Sequence, residues 1–216
     1  MKILITAGPT REPLDPVRYL TNRSSGKMGY ALAEAARDRG HEVTLISGPV
    51  SLPMPEGLTM VKVETARQMY EAVSSHLSGQ DTAIFSAAVA DYRPVARAEQ
   101  KIKKTGETLT LTLEKTEDIL GSARGVFGFT GYLVGFAAET ERLLEHAHDK
   151  LARKGCDLVI ANDVSQVGIG FDSTENEVTL CLPDASPFPL PRQSKAALAR
   201  ELIAFITQQA ALKKTL

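Results

Sequence analysis

Residues Thr6 to Gly29, TAGPTREPLDPVRYLTNRSSGKMG, decide the fold of this chain. An apolar triplet, Ile3-Leu4-Ile5, precedes them and is short enough for a buried strand. Tyr30 to Arg39 (YALAEAARDR) follows with helical character and stops at Gly40. His41 to Ser47 (HEVTLIS) then reads as a second strand. The first loop of this strand–loop–helix–strand unit far exceeds the roughly 2–6 residues usual for such connections, and long structured loops are mostly functional. It delivers Ser24, Ser25 and Gly26 to the mouth of the helix, where unpaired N–H groups and the positive dipole end favour an anion. Taken alone, Ser-Ser-Gly is more simply an N-cap, and Pro9, Pro13 and Pro16 are loop stiffeners. The polar content tilts the reading toward a phosphate or carboxylate site. Thr10, Arg11, Arg18, Asn22, Arg23 and Lys27 all follow the first strand, at the edge where open α/β sheets bind ligands.

Two familiar phosphate motifs are excluded. The G-x-G-x-x-G fingerprint is absent, and no acid closes the second strand, which ends Ile46-Ser47-Gly48-Pro49. In a Walker A loop Met28 would have to be Ser or Thr, and Thr21 stands where the first glycine belongs.

Outward from this unit, the chain alternates strand-like and helix-like segments, which predicts a mostly parallel sheet covered by helices on both faces. Thr65 caps a helix to Leu77 with Met69, Val73 and Leu77 on one side. Ala83 to Ala90 (AIFSAAVA) reads as a third strand and its exit, and Asp91-Tyr92-Arg93-Pro94 as a break. Leu109 to Leu113 (LTLTL) alternates like a half-exposed strand, so residues 92–115 read as an excursion, a ribbon or flap. Lys115 to Leu120 leads into a short helix, and Gly121 to Gly131 reads as irregular. Tyr132 to Ala137, Leu158 to Ala161 and Glu177 to Leu182 read as strands. Thr140 to Arg153 reads as a helix stopped by Gly155, 167–171 as a loop, and Ser194 as the cap of a last helix with Leu198, Leu202, Ile203 and Ile206 inward. No repeat or internal boundary divides residues 1–216, read as a single domain.

The 216 residues are 43% hydrophobic and 24% charged, ordinary for one globular domain. A net charge of −1 gives no footprint for nucleic acid or an anionic membrane. No apolar run approaches the roughly 18 residues of a membrane span, and no secretory signal precedes the first strand. Cys156 and Cys181 form no disulfide framework and fit reduced thiols in the cytoplasm.

Four strand exits converge on one crevice in this architecture. Beyond the first loop they are Ser86 to Asp91, where small residues admit a ligand to the backbone, the lysines Lys101, Lys103 and Lys104, and Gly135 to Thr140 with the helix behind it. That helix carries Lys150 and Lys154 on one face. Each has a plainer reading: Asp91 as a turn aspartate, the lysines as a solvated run, Phe136 as core. His146 and His148 do not share a helix face, and no nucleophile elbow G-x-S-x-G occurs. The residues alone reach an α/β enzyme with an anion site fed by lysines, suited to a nucleoside triphosphate. They leave the reaction open between a ligase, a nicotinamide-dependent reductase and a non-catalytic nucleotide-binding module.

The run ITAGPTREPLDPVRYLTNRSSGKMG, then SAAVADYRP, KIKK, VGFAAET and ANDVS, resembles the phosphopantothenate–cysteine ligase family of coenzyme A biosynthesis in order over nearly the whole chain. The resemblance is to the bacterial type, commonly the carboxyl-terminal half of a bifunctional protein whose other half is a flavin-dependent decarboxylase. It implies a Rossmann-like three-layer fold, a homodimer and no flavin in this chain. It also implies a reaction in which 4′-phosphopantothenate and CTP, with Mg²⁺, form an acyl-cytidylate that L-cysteine converts to the amide. Carried over by position, Asn22 matches a catalytic, substrate-binding asparagine and Arg18 a nearby substrate-binding arginine. Lys101 matches a catalytic, CTP-contacting lysine. Phe85, Ser86, Ala87, Asp91, Glu117, Asp118, Ile119, Leu120, Phe136, Lys150 and Lys154 match the remaining CTP contacts, with Glu117 standing where some relatives carry proline. The metal ligands stay unassigned.

Overall fold

The structure, a computed structural model, describes residues 1–104, 106–165 and 173–215; the loop read at 167–171 lies outside the described residues. The first apolar triplet is the middle of β1 (Lys2–Ala7), with Ile3, Leu4 and Ile5 fully buried. A strand buried on both faces needs no polar alternation, which is why these segments read as continuous apolar runs. β1 lies between β4 (Glu42–Ser47) and β6 (Thr82–Phe85), parallel to both. β5 (Thr59–Lys62) extends the sheet beyond β4, and β9 (Tyr132–Glu139) and β10 (Leu158–Asp163) extend it beyond β6. Antiparallel β11 (Glu175–Cys181) and β12 (Phe188–Ser194) complete an eight-stranded sheet in the order β12-β11-β10-β9-β6-β1-β4-β5. From β1 the chain moves outward to β4 and β5, then returns to the other side of β1 as β6. That reversal puts the crevice between β1 and β6 where open sheets take ligands.

Two cores flank the sheet. On one face α1 (Lys27–Asp38) and α5 (Lys195–Lys214) pack on Ile3, Ile5, Val134 and Ile160. On the other, α2 (Ala66–His76), α3 (Ile119–Gly125) and α4 (Leu143–Lys154) cover Leu4, Ile46, Leu133 and Val159. The predicted mostly parallel, three-layer α/β architecture is the one observed. Thr65 and Gln68 form the capping box of α2, and Ser194 caps α5 by accepting from Ala197 N.

The long first loop is itself built. It folds into a hairpin of β2 (Arg11–Pro13) and β3 (Tyr19–Thr21). Buried Glu12 accepts from Ala66 N at 2.8 Å, pinning the hairpin to the amino end of α2.

Several sequence readings need correction. Residues 92–94 do not break regular structure; β7 (Tyr92–Pro94) pairs antiparallel with β8 (Leu113–Lys115). In the LTLTL run Leu109, Leu111 and Leu113 are all exposed, so neither face of the ribbon meets a core within this chain. The stretch after Leu120 is helical to Gly125, because Asp118 caps it by accepting from Gly121 N at 2.9 Å. α4 begins at Leu143 rather than Thr140, with Arg142 ahead of it in a left-handed conformation (φ 48°). The edge strands β5 and β12 escaped the reading. β5 has no fully buried residue, and Pro189 and Pro191 in β12 are tolerated there because an edge strand leaves N–H positions unpaired.

Candidate active site

The helix α1 starts one residue after Gly26, which takes φ 76° and offers no capping side chain. A Cβ on Gly29 would lie 2.5 Å from the Ala7 Cβ, so glycine there lets α1 seat directly on the end of β1. Together they aim the first turn of the helix at the carboxyl edge of the sheet. At that edge lies a cavity of about 890 Å³, at the upper end of the range for small-molecule sites.

Its walls come from segments far apart in the chain. Ser24 to Gly29 form one side, Phe85 to Val89 and Asp91 the floor, and Glu117 to Leu120 with Phe136 to Glu139 the far side. Lys150 and Lys154 close it from α4. Asn22 and every predicted nucleotide contact except Lys101 therefore line one cavity.

Arg18 and Lys101 lie off its wall. The Arg18 guanidinium donates to buried Asp15 at 2.6 and 3.0 Å and to Ile102 O at 2.9 Å. Asp15 also accepts from Ile102 N at 3.1 Å. The KIKK segment is thus tied through Ile102 to the turn of the β2–β3 hairpin, leaving Lys101 exposed beside it. Arg18 first, then the backbone N–H groups of Val17, Ile102 and Arg18, hold the Asp15 carboxyl far below the usual carboxylate range against its burial.

Within the cavity the polar groups are fixed by their surroundings. Asn22 Nδ2 donates to Val89 O at 2.9 Å and Ala88 O at 3.3 Å, fastening the first loop to the second strand exit. Asn22, Ala87 and Ala88 thereby line the same cavity. Thr6 and Thr10 hydroxyls accept from Ala87 N (3.3 Å) and Ala90 N (3.0 Å), and Thr116 Oγ1 donates to Ala90 O at 2.6 Å. The SAAVAD segment is therefore a rigid shelf, as its small residues require. The Asp91 carboxylate at its end has no hydrogen-bond partner among the described residues. Lys150 Nζ donates to Phe136 O at 3.0 Å, and its burial lowers its pKa despite nearby Glu139. Lys154 pairs with Asp118. Burial raises the Asp118 carboxyl, but Lys154 and the Gly121 N–H outweigh it, and the net shift is downward. Glu117 is held by Arg93 at 3.0 Å.

Asn162, Asn176 and Lys195 are among the wall side chains that carried no role in the sequence reading. Asn162 sits in the ANDVS exit of β10, where its place after an apolar run was a usable signal. Asn176 and Lys195 follow the antiparallel return, and nothing local marks them. Buried Cys156 is inert, its thiol pushed up to about 12 by desolvation.

Among the described residues no three His, Cys, Asp or Glu side chains cluster to hold a metal. Mg²⁺ characteristically binds through one or two carboxylates plus substrate phosphates. Unpartnered Asp91 at the cavity mouth fits that mode.

An open α/β sheet with a cavity at its switch point, rimmed by a helix amino end and lysines, is the arrangement in which α/β proteins bind anionic ligands. Residues 1–210 match the family model described as DNA/pantothenate metabolism flavoprotein C-terminal domain, and the chain belongs to that family. It is 52% identical over 203 residues to the coenzyme A biosynthesis bifunctional protein CoaBC of Vibrio vulnificus (strain YJ016), covering 93% of this chain and 50% of that one. Identity to the protein of the same name from Escherichia coli (strain K12) is 48% over 206 residues, with 94% and 50% covered. The chain spans about half the length of these curated relatives. The crystal structure of the C-terminal domain of a CoaBC protein superposes with a TM-score of 0.82 at 41% identity, covering 100% of this chain and 96% of that one. Among the described residues no helix is long and apolar enough to cross a membrane.

Proposed function

We propose that this chain is a CTP-dependent phosphopantothenate–cysteine ligase acting in coenzyme A biosynthesis in the cytoplasm. The observation that carries this is the single cavity into which Asn22, the SAAVAD shelf, the Asp118 turn, Phe136 and the α4 lysines all open. The kinship with proteins named for coenzyme A biosynthesis supports the pathway.

The chemistry needs a carboxylate made into an acylating agent. A pantothenate carboxylate oxygen attacks the α-phosphorus of CTP, and the bond to the β-phosphate oxygen breaks to release pyrophosphate. The cysteine nitrogen then attacks the acyl carbon, loses its proton, and CMP departs with the bonding pair. Asn22, held by two carbonyls, presents its side chain to the acyl-cytidylate without reorganising. Lys150, Lys154 and the amino end of α1 offset phosphate charge, while Arg18 and Lys101 supply cations from the hairpin side. Mg²⁺, held by Asp91 and the nucleotide, would add further charge stabilisation when bound. No flavin has a role in this chain.

The exposed apolar ribbon supports the homodimer: Tyr92, Val95, Leu109, Leu111 and Leu113 are surfaces that a second copy would cover. A fused or associated flavin-dependent decarboxylase is the natural source of the second activity in a bifunctional relative.

The test is turnover. With Mg²⁺, CTP and phosphopantothenate, pyrophosphate should appear before cysteine is added, and cysteine should then yield the amide and CMP. A folded protein that releases no pyrophosphate under these conditions is not this ligase. A nicotinamide-dependent reductase would instead bind NADPH, and a non-catalytic module would bind CTP with Asn22→Ala changing nothing.

A further inference from the structure

Val95 N donates to Thr112 O at 3.1 Å, which closes the β7–β8 ribbon around the segment 96–111. Among the described residues of that segment, Ala98 and Ile102 alone are not exposed, and they alone hydrogen-bond to the rest of the chain. Ala98 N donates to Leu14 O at 2.9 Å. Ile102 is held at both of its backbone groups. Its N–H donates to Asp15 Oδ2 at 3.1 Å, and its carbonyl accepts from the Arg18 guanidinium at 2.9 Å. Two side chains of one turn thus do what the backbone of a partner strand would do.

The turn that grips Ile102 is fixed from within. Asp15 is only 2% exposed, and its two oxygens have separate tasks. Oδ1 accepts from Val17 N and Arg18 N, both at 2.8 Å, and builds the turn between β2 and β3. Oδ2 accepts from the Arg18 guanidinium and from Ile102 N, and so reaches out of the hairpin. The turn itself needs only the first oxygen. β3 then leads directly into Asn22, whose amide is fastened at the cavity. Lys101 is joined to Ile102 by one peptide, about 3.8 Å between Cα atoms, so the grip on Ile102 decides where its ammonium group can reach.

We propose that Asp15 is a positioning residue for the reaction: its Oδ2, through Ile102, sets the reach of Lys101 toward the nucleotide phosphates. This rests on the CTP-dependent ligase reading and names what places its outlying lysine. A lysine on an unanchored segment loses backbone freedom each time it engages a phosphate, and binding weakens by that ordering cost. Anchored beforehand, it avoids that loss. Asp15→Asn separates the two tasks of the side chain. Its Oδ1 still serves the turn, but an NH₂ group replaces Oδ2 and faces two donors, Ile102 N–H and Arg18.

Initial rates of pyrophosphate release with phosphopantothenate give KM for CTP and kcat in wild type, Asp15→Asn, Lys101→Gln and the double variant. Asp15→Asn should raise KM about fivefold or more and leave kcat within about twofold. In the double variant KM should stay within about twofold of Lys101→Gln alone, because both changes act on one contact. Trypsin should also cut the Lys101–Lys104 run several times faster in Asp15→Asn. If Asp15→Asn folds poorly, Ile102→Pro removes the same bond from the other partner, and the same cycle with Lys101→Gln applies. An unchanged KM in Asp15→Asn or in Lys101→Gln overturns the assignment, as do effects that multiply in the double variant. An unchanged cleavage rate does so as well. Each of these results leaves the ligase reading standing. Wild type that releases no pyrophosphate removes that reading, and this assignment with it.

Discussion

The cavity and the β7–β8 ribbon are built on opposite principles. The cavity stands on strands whose apolar residues are largely buried, and Asn22 and Lys150 at its wall are bonded to neighbouring backbone carbonyls. The ribbon has three paired residues on each side and apolar side chains turned to solvent. Arg18 and Lys101 belong to neither: they sit on the Asp15 latch between hairpin and ribbon. The difference teaches that the cavity walls are packed from within this chain, whereas the ribbon's apolar side chains meet no core among the described residues.

The largest expected effect falls on the cavity. Asn22→Ala removes both carbonyl bonds and the group facing the reaction, and should lower turnover by about 10²-fold or more with little change in melting temperature, the usual scale for losing one preorganised polar contact. Equal residual activity would place the chemistry elsewhere. Next is Gly29→Ala. The added methyl meets Ala7, and overpacking of this kind costs about 1–3 kcal/mol, so thermal unfolding should begin several degrees lower. By contrast Leu109→Ser on the ribbon should stay within about 0.5 kcal/mol in chemical denaturation of isolated chains, yet weaken self-association in sedimentation. A stability loss like that of Gly29→Ala would mean the ribbon is packed in the monomer.

The latch gives subtler readouts. Lys101→Gln should raise the KM for CTP about tenfold, the scale of one charge-assisted hydrogen bond, and leave thermal stability unchanged. Asp15 is lowered in the folded state by Arg18 and backbone donors, so its contribution is present above the unfolded carboxylate range and disappears as pH falls through the folded value. Acid unfolding between about pH 4 and lower should therefore be shallower in Asp15→Asn than in wild type. Lys150 has the opposite setting. Burial makes it lose its proton at a lower pH than an ordinary lysine, so CTP affinity should decline on the alkaline side earlier than free-lysine titration, and Lys150→Arg should remove that decline.

This contrast also explains what was legible in the sequence. Ile3 to Ile5, Ala83 to Phe85 and Leu158 to Ala161 announced themselves because strands buried on both faces are plainly apolar. The exits that follow them then pointed to one edge, and with them to Asn22, Asp91, Phe136 and Lys150. Alternation in LTLTL carried less, since it presupposes one buried face and neither face is buried here. The β12 edge strand was hidden by Pro189 and Pro191, residues that argue against a strand anywhere except at an edge. Asn176 and Lys195 were invisible for a topological reason: they reach the cavity only because two antiparallel strands carry the chain back to it. Residue pattern gives no hint of that return.

A crystal structure with CTP and Mg²⁺ tests the central claim most directly. The account predicts the base against Phe136, the α-phosphorus open toward Asn22, and the phosphates between the amino end of α1 and the lysines. A nucleotide bound outside this cavity, with Asn22, Asp91, Phe136 and Lys150 all beyond contact distance, would contradict it.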